Sequence, residues 1–379
     1  MSRPHFRYSR NVRATILIGP AGSGKTFRCL AEVRAELKRG AEGLPLLFIA
    51  PKQATFQIER ELLSDPDIHG YARLQIVSFE RLARFVLDEF ALLPPRLLTE
   101  EGRVMVLRAL LGERHRDLNV FHGSARLPGF AHQLSSVLGE LQRHHVSSEQ
   151  LLQTAAKLAD RPQLADKLRD LALMLRAYLA WLQANELHDA NLLFDLATDA
   201  VTTAARNGVF TCEAVWLDGF AELSSQELSL LLAVLRGSRK STLAFCTETI
   251  AAQNEDWLSP WVVAAQTASR CCEAVRGLPG AHVSVEHIER TAATGRFAGS
   301  SPLAHLESHW ARPVAFAGEA HNALSLKHCR TPEAEAIAAA HEALEYVRRG
   351  GRFRDVGVLV RNLSGYQDAI RRAFSRYEI

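Results

Sequence analysis

The sequence predicts an α/β fold: a parallel sheet that carries a phosphate-binding loop and is split by an all-helical insertion. Three observations predict it. Short apolar runs at Thr15-Ile16-Leu17-Ile18, Leu46-Leu47-Phe48-Ile49-Ala50 and Leu74-Gln75-Ile76-Val77 alternate with helical periodicity, the pattern of strands buried on both faces. A glycine-rich segment, Gly19-Pro20-Ala21-Gly22-Ser23-Gly24-Lys25-Thr26, joins the first run to the first helix. About a hundred residues then lack any strand signal, before strand character returns at Ala214-Val215-Trp216-Leu217 and Thr242-Leu243-Ala244-Phe245.

The elements follow in order. The first strand begins near Ala14, which leaves no cleaved leader before it, and stops at Gly19. From Lys25, the spacing of Phe27, Leu30, Val33 and Leu37 predicts a helix that ends at Gly40 as its C′ residue. Pro51 stops the second strand, a helix runs around Phe56 to Leu63, and the third strand closes the first part of the nucleotide domain, residues 1–93. After Pro94 and Pro95 the insertion is expected over 94–208. Thr99 with Glu100 and Glu101 starts one helix there, and Ser147-Ser148-Glu149-Gln150 fits a capping box. Leu164, Leu168, Leu171, Leu175, Leu179 and Leu182 mark a long amphipathic helix whose leucine face is expected to be core rather than a cofactor box. The sheet resumes over 209–290, a Gly-, Ser-, Ala- and Pro-rich connection fills 291–325, and a second α/β domain opens over 326–379. That domain shows a helix from Glu333 to Val347 and one strand, Val356-Gly357-Val358-Leu359-Val360, so the sequence is expected to be the front of a longer protein.

Composition bounds the function. A length of 379 residues with 47% hydrophobic and 23% charged is too large for one simple core and too apolar for disorder. The net charge of +3, from 45 basic and 42 acidic side chains, does not announce a nucleic acid by bulk electrostatics, so such a partner must be argued from motifs. Six cysteines without a CxxC pair favour reduced thiols in the cytoplasm over zinc or disulfide frameworks. No run of about 18 apolar residues is present, so no membrane partner is expected.

The glycine segment matches G-x-x-x-x-G-K-T in full and lies between strand and helix, as phosphate binding requires. Glycines let successive N–H groups face a phosphate, the helix N-terminus adds its dipole, Lys25 reaches the terminal phosphates of ATP, and Thr26 offers a hydroxyl to Mg²⁺. Asp218, at the end of Val215-Trp216-Leu217, is the candidate carboxylate that holds the magnesium through water. Many P-loop ATPases follow that Asp with a Glu that orients the attacking water. Here Gly219 follows, and Glu222 lies too far along the chain to replace it, so nucleotide binding is better supported than fast hydrolysis.

With the P-loop, Pro51-Lys52-Gln53-Ala54-Thr55-Phe56-Gln57, Val77-Ser78-Phe79-Glu80-Arg81-Leu82 and Leu217-Asp218-Gly219-Phe220 in this order, the chain resembles the AddB family from about Ala14 to its end. These are the B subunits of bacterial AddAB helicase-nucleases that process double-strand breaks, relatives of the UvrD-type superfamily 1 helicases. The resemblance implies a RecA-like first domain split by the insertion, then a second RecA-like domain. It implies a nucleotide site at residues 19–26 and Asp218, and single-strand backbone contacts at Gln53, Phe56, Gln57, Ser78, Phe79 and Arg81. Val358-Leu359-Val360-Arg361 resembles the motif whose arginine touches the γ-phosphate, which adds Arg361 to Lys25 and Asp218 as a catalytic candidate. Implied partners are single- and double-stranded DNA and an AddA-like helicase-nuclease subunit, in the bacterial cytoplasm. Gly219 agrees with a degenerate motor that binds ATP and hydrolyses it weakly, leaving strand separation to the AddA-like subunit. The family's C-terminal nuclease domain with its iron–sulfur cluster lies beyond Ile379, so no nuclease residue or cluster cysteine is assigned.

Two alternatives stand beside this. An autonomous superfamily 1 helicase needs a water-activating acid and a complete second domain. A P-loop small-molecule kinase leaves the motif order after Ala50 unexplained. Arg348-Arg349-Gly350-Gly351-Arg352 is expected to be a basic loop, and His144, His145, His282 and His287 lack companions at metal-ligand spacing. Arg3, Arg7 and Arg10, interleaved with Phe6 and Tyr8, are expected to form a solvated tail.

Overall fold

The structure is a computed structural model that describes residues 12–90, 96–127, 129–158, 160–207, 209–250, 259, 261–289, 297–310, 313–320 and 323–379. Pro94, Pro95, the arginines of the N-terminal tail and parts of the 291–325 connection lie outside them. Residues 1–298 form one compact unit and residues 299–379 another.

The chain opens with β1 (Arg13–Gly19), α1 (Lys25–Arg39), β2 (Leu46–Ile49), α2 (Thr55–Leu63), β3 (Leu74–Val77) and α3 (Phe79–Glu89). The insertion follows, with β4 (Leu97–Leu98), α4 (Glu100–Arg114), α5 (Phe130–Arg143), α6 (Ser148–Ala156), α7 (Pro162–Ala184), β5 (His188–Asp189) and α8 (Leu192–Arg206). The sheet is completed by β6 (Cys212–Leu217), α9 (Ser225–Arg236), β7 (Ser238–Cys246), α10 (Val262–Arg276) and β8 (His282–His287). Six strands lie in the order β3-β2-β6-β7-β1-β8 with every pairing parallel, the predicted α/β architecture.

Alternation along the strands explains why they read as continuous apolar runs. Ile16, Ile18, Leu47, Ile49, Val215 and Leu217 face one side, packed with residues of α3, α8, α9 and α10. Leu17, Leu46, Phe48, Ala214 and Trp216 face the other, against Cys29, Leu30 and Val33 of α1 and Ile58 and Leu62 of α2. Because the strands are parallel, β1, β2, β3 and β6 all present their carboxyl ends on one side of the sheet, where ligands of such folds bind.

The insertion has its own core, built around Leu107, Leu111, Leu134, Leu138, Met174, Leu175 and Tyr178. The capping box at Ser147 and Gln150 forms as expected, and Thr99 caps α4. The leucine face of α7 is core only in part: Leu171, Leu175 and Leu182 are buried, but Leu164 and Leu179 are exposed. Leu164 precedes Leu168, the first α7 residue to reach this core, and Met174 and Tyr178 supply buried area that the leucine spacing does not mark. Leu193, Ala197 and Val201 of α8, grouped with the insertion by sequence, pack in the core of the sheet.

Four further differences have simple causes. The insertion holds one strand pair, β4 with β5, too short at two residues each to show a period. Strand β8 offers only a short alternation, Val283 and Val285 among polar residues, in place of a continuous apolar run, because it is a sheet edge with only β1 beside it. Gly40 caps α1 in an extended conformation, with φ 164°, rather than a left-handed one. The expected strand at 356–360 is absent: Val358 and Leu359 are exposed, and no strand among the described residues of the second unit offers a ladder. A strand is defined by its partner's hydrogen bonds, so an apolar run alone does not make one.

The second unit comprises α11 (Ser301–Ser308), within the stretch read as irregular, then α12 (Pro332–Arg348) and α13 (Gln367–Arg376). Helices α12 and α13 pack through Ala336, Ala369 and Ala373. All six cysteines carry free thiols. Among the described residues, no helix is long and apolar enough to cross a membrane and no group of metal ligands forms.

Candidate nucleotide-binding site

Strand β1 ends at Gly19, where a Cβ would stand 2.4 Å from the carbonyl oxygen of Ile288 and 2.6 Å from Ser23 Oγ. Only glycine lets the chain leave the sheet so close to β8. Gly22 and Gly24 have φ of 76° and 100°, left-handed values that curl the loop back towards α1. No side chain caps the N-terminus of α1, and the positive end of its dipole faces the loop.

Lys25, only 7% exposed, folds back over this loop. Its Nζ donates to the carbonyl oxygens of Gly19 and Pro20, both at 2.7 Å, and lies 3.5 Å from Ser23 Oγ. The ammonium is thus held on oxygens at the mouth of the loop. Beside it, Thr26 Oγ1 donates to Asp218 Oδ2 at 2.6 Å, which brings together two groups 192 residues apart. Asp218 directly follows β6, and its N–H is fixed by the carbonyl oxygen of Ile49 at 3.1 Å. Burial pushes the Asp218 carboxyl above the ordinary carboxylate range, against the hydrogen bond from Thr26, the charge of Lys25 and the Gly219 backbone.

Residues 16–307 match the family described as ADDB, N-terminal. The chain belongs to this family. It is similar to the ATP-dependent helicase/deoxyribonuclease B subunit of Desulforudis audaxviator, 34% identical over 370 residues that cover 96% of this chain and 31% of that protein. The protein of the same name from Heliobacterium modesticaldum is 34% identical over 378 residues, covering 96% and 30%. That of Symbiobacterium thermophilum is 33% identical over 374 residues, covering 96% and 31%. The chain therefore spans a little under a third of the length of these relatives.

In this member of the AddB family, a carboxylate that no sequence motif marks out braces the loop helix. Glu32 of α1 accepts from Trp216 Nε1 at 3.0 Å, Thr242 Oγ1 at 2.8 Å and Arg28 Nε at 2.8 Å. Burial opposes its charge, yet these donors hold its carboxyl below the ordinary range. It ties the helix that carries Lys25 and Thr26 to β6 and β7. The signal available was its place on the helix face shared with Cys29, Val33 and Glu36.

The residues expected along DNA divide. Gln53, Phe56 and Gln57 are exposed in the turn and first helical turn after β2, with Phe56 at 72%. Ser78 follows β3 as the N-cap of α3, accepting from the Arg81 N–H at 3.4 Å, and the Arg81 side chain is exposed. Phe79 does not fit a DNA contact: it is 3% exposed and meets the Phe220 ring edge-on at 5.2 Å, so it is core. Arg361 is exposed in the second unit, in the bend before a 3-10 turn at Leu363–Gly365.

An Asp218→Asn substitution is expected to separate stability from metal binding. Because the folded carboxyl is raised, the native state holds its proton more tightly than the unfolded chain, so charging Asp218 costs stability as pH rises through its folded value. The amide keeps an acceptor for Thr26 without that charge, so at pH 7 the variant is expected to melt no lower than the parent, an advantage that vanishes in acid. Its nucleotide binding should lose most of its Mg²⁺ dependence. Thermal melts at two pH values, with binding titrations with and without Mg²⁺, check both parts.

Proposed function

We propose that this chain is the ATP-binding, DNA-engaging N-terminal part of a helicase-nuclease subunit that acts in double-strand-break repair in the bacterial cytoplasm. Its motor binds Mg²⁺–ATP and hydrolyses it weakly. The names of its relatives support the class, and the Thr26–Asp218 hydrogen bond beneath a glycine loop is the observation that carries the nucleotide reading. The N–H groups of residues 19–26 and Lys25 would hold the phosphates, while Thr26 and Asp218 would hold the magnesium. The bound metal would neutralise phosphate charge. For Lys25 to serve, its ammonium exchanges the carbonyl oxygens of Gly19 and Pro20 for phosphate oxygens.

Weak hydrolysis is supported at Gly219. Its φ is +87°, and a Cβ there would stand 3.1 Å from Pro51 Cδ. A glutamate at this position would meet both the left-handed penalty of about 1–2 kcal/mol and a proline ring. Gly219→Glu is therefore expected to destabilise the chain by about that amount and to leave phosphate release at the parent's rate; a gain of tenfold or more in hydrolysis would show that only the missing acid limits the motor.

Gln53, Phe56, Gln57, Ser78 and Arg81 are assigned to the single-strand backbone, Arg361 to the γ-phosphate, and an AddA-like subunit to strand separation. Phe79 supports Ser78 from the core instead of touching DNA. Binding of a fluorescent ATP analogue, with and without single-stranded DNA, tests the reading while phosphate release is followed in parallel. Tight Mg²⁺-dependent binding with little turnover is expected. DNA-stimulated turnover of many per second would favour the autonomous helicase instead.

A further inference from the structure

Away from the nucleotide site, a cavity of about 650 Å³ opens where α5 and α7 of the insertion meet α8 and α9. Helices α5 and α7 both end at its wall, and both end in the same unusual way. His145 and Glu186 take left-handed conformations, with φ of 55° and 52°. The Val146 N–H returns to the Leu141 carbonyl at 2.8 Å and the Leu187 N–H to the Leu182 carbonyl at 3.1 Å, the Schellman pattern. Glycine serves that position best, because a Cβ is strained there. Capping alone does not explain a histidine and a glutamate at these two positions, and both residues line the cavity.

Carboxylates outnumber the other ionisable groups on the cavity's wall, which also carries His145 and His188. Two helix C-termini turn the negative ends of their dipoles towards it. Glu186 and Asp195 add carboxylates, whereas the nearby Asp189 is already paired with Arg103 at 3.3 Å. The N-terminus of α8 acts the other way, and Asp195 in its first turn offsets it. Asp195 Oδ1 lies 3.9 Å from His145 Nε2. An acceptor is also left over. Gln226 is 3% exposed and uses its Nε2 on the carbonyl oxygen of Asn191 at 3.2 Å and Asp195 Oδ2 at 3.1 Å. Its Oε1 is buried and has no hydrogen-bond partner among the described residues. Leu179, a leucine of α7 outside the insertion core, lines the cavity and gives it an apolar side.

We propose that this cavity binds an organic cation: one amidinium, guanidinium or ammonium group carried on an apolar body. The cationic donors face Glu186 and Asp195, and the apolar body lies along Leu179. The volume suits a drug-sized molecule or one or two side chains of a peptide. An occupant would bridge the insertion to the helices of the sheet domain. The proposal does not depend on nucleotide binding.

The test is a titration of the whole chain with benzamidine and with its uncharged isostere benzamide, followed by backbone amide chemical shifts. Saturable shifts over residues 142–146 and 182–195 with benzamidine, and none with benzamide, are expected. Glu186→Gly and Asp195→Asn should each weaken benzamidine at least about tenfold, the worth of one charge-assisted contact. Glu186→Gly should also melt at or above the parent's temperature, because it installs the preferred capping residue; that variant folds on either reading. A parallel titration with N-acetyl-Leu-Arg-amide distinguishes the sources, since tighter binding than benzamidine supports a peptide occupant and weaker binding a free small molecule. Equal binding of benzamide, unshifted cavity residues at saturating benzamidine, or parental affinity in both variants would overturn the proposal.

Discussion

Lys25→Ala is expected to lower the affinity for a fluorescent Mg²⁺–ATP analogue by about one to two orders of magnitude and to leave the far-ultraviolet circular dichroism of the chain unchanged. The size follows from the interaction removed: hydrogen bonds to a charged group contribute about 1.5–3 kcal/mol each, and about 1.4 kcal/mol is tenfold in affinity. In the free protein the same ammonium satisfies the carbonyl oxygens of Gly19 and Pro20. Its removal therefore also loosens the loop before any ligand arrives, and faster amide exchange at residues 19–24 is expected. Lys25→Arg restores little, because a planar fork on a longer stem does not replace a compact ammonium seated on two carbonyls 2.7 Å away. Parental affinity in the alanine variant would remove Lys25 from the site.

Trp216→Ala is the substitution expected to cost the most stability. Trp216 heads the largest fully buried side chains and fills the sheet face that packs against α1 and α2. Truncating a buried tryptophan costs about 3–5 kcal/mol, a large share of the roughly 5–15 kcal/mol that holds a domain together. Here it also leaves Glu32 with one donor fewer, on a carboxylate kept ionised by its hydrogen bonds. Denaturant titration should show the loss, and nucleotide binding should fall with it, because Asp218 stands only two residues further along the chain at the end of β6. Trp216→Phe keeps most of the volume but no Nε1–H, so it isolates the Glu32 hydrogen bond at a smaller cost, on the order of 1 kcal/mol.

What sequence revealed, and what it hid, follows from how each residue is constrained. Strands β1, β2 and β6 were legible because a strand buried on both faces has no polar position to blur its run. The loop was legible because its glycines answer to backbone geometry that no other residue satisfies, as the close approaches at Gly19 show. Asp218 was legible as the polar residue that ends an apolar strand. Strand β8 was not, since an edge strand with exposed residues such as Val285 and Glu286 has only two valines in alternation and no continuous apolar run. Glu32 was hidden for the opposite reason: a glutamate on a helix reads as surface until Trp216 and Thr242 are seen to point at it. Phe79 sits inside a motif that resembles a DNA contact, and a motif does not say which of its side chains turns inward. The run at 356–360 has strand composition without a strand's partner.

The order of strands in the sheet also sets a timetable for synthesis. Ala14 pairs with Ser241, and Arg13 with His282, so β1 has no neighbour until more than two hundred further residues have been made. At about 5–20 residues per second, that wait lasts on the order of ten seconds to a minute. Meanwhile β2 and β3 can pair, and the insertion can collapse on its local contacts. The glycine loop, translated almost first, becomes a site almost last. A chain released before Ser238 carries the whole loop sequence and has neither neighbour of β1 on which to build it.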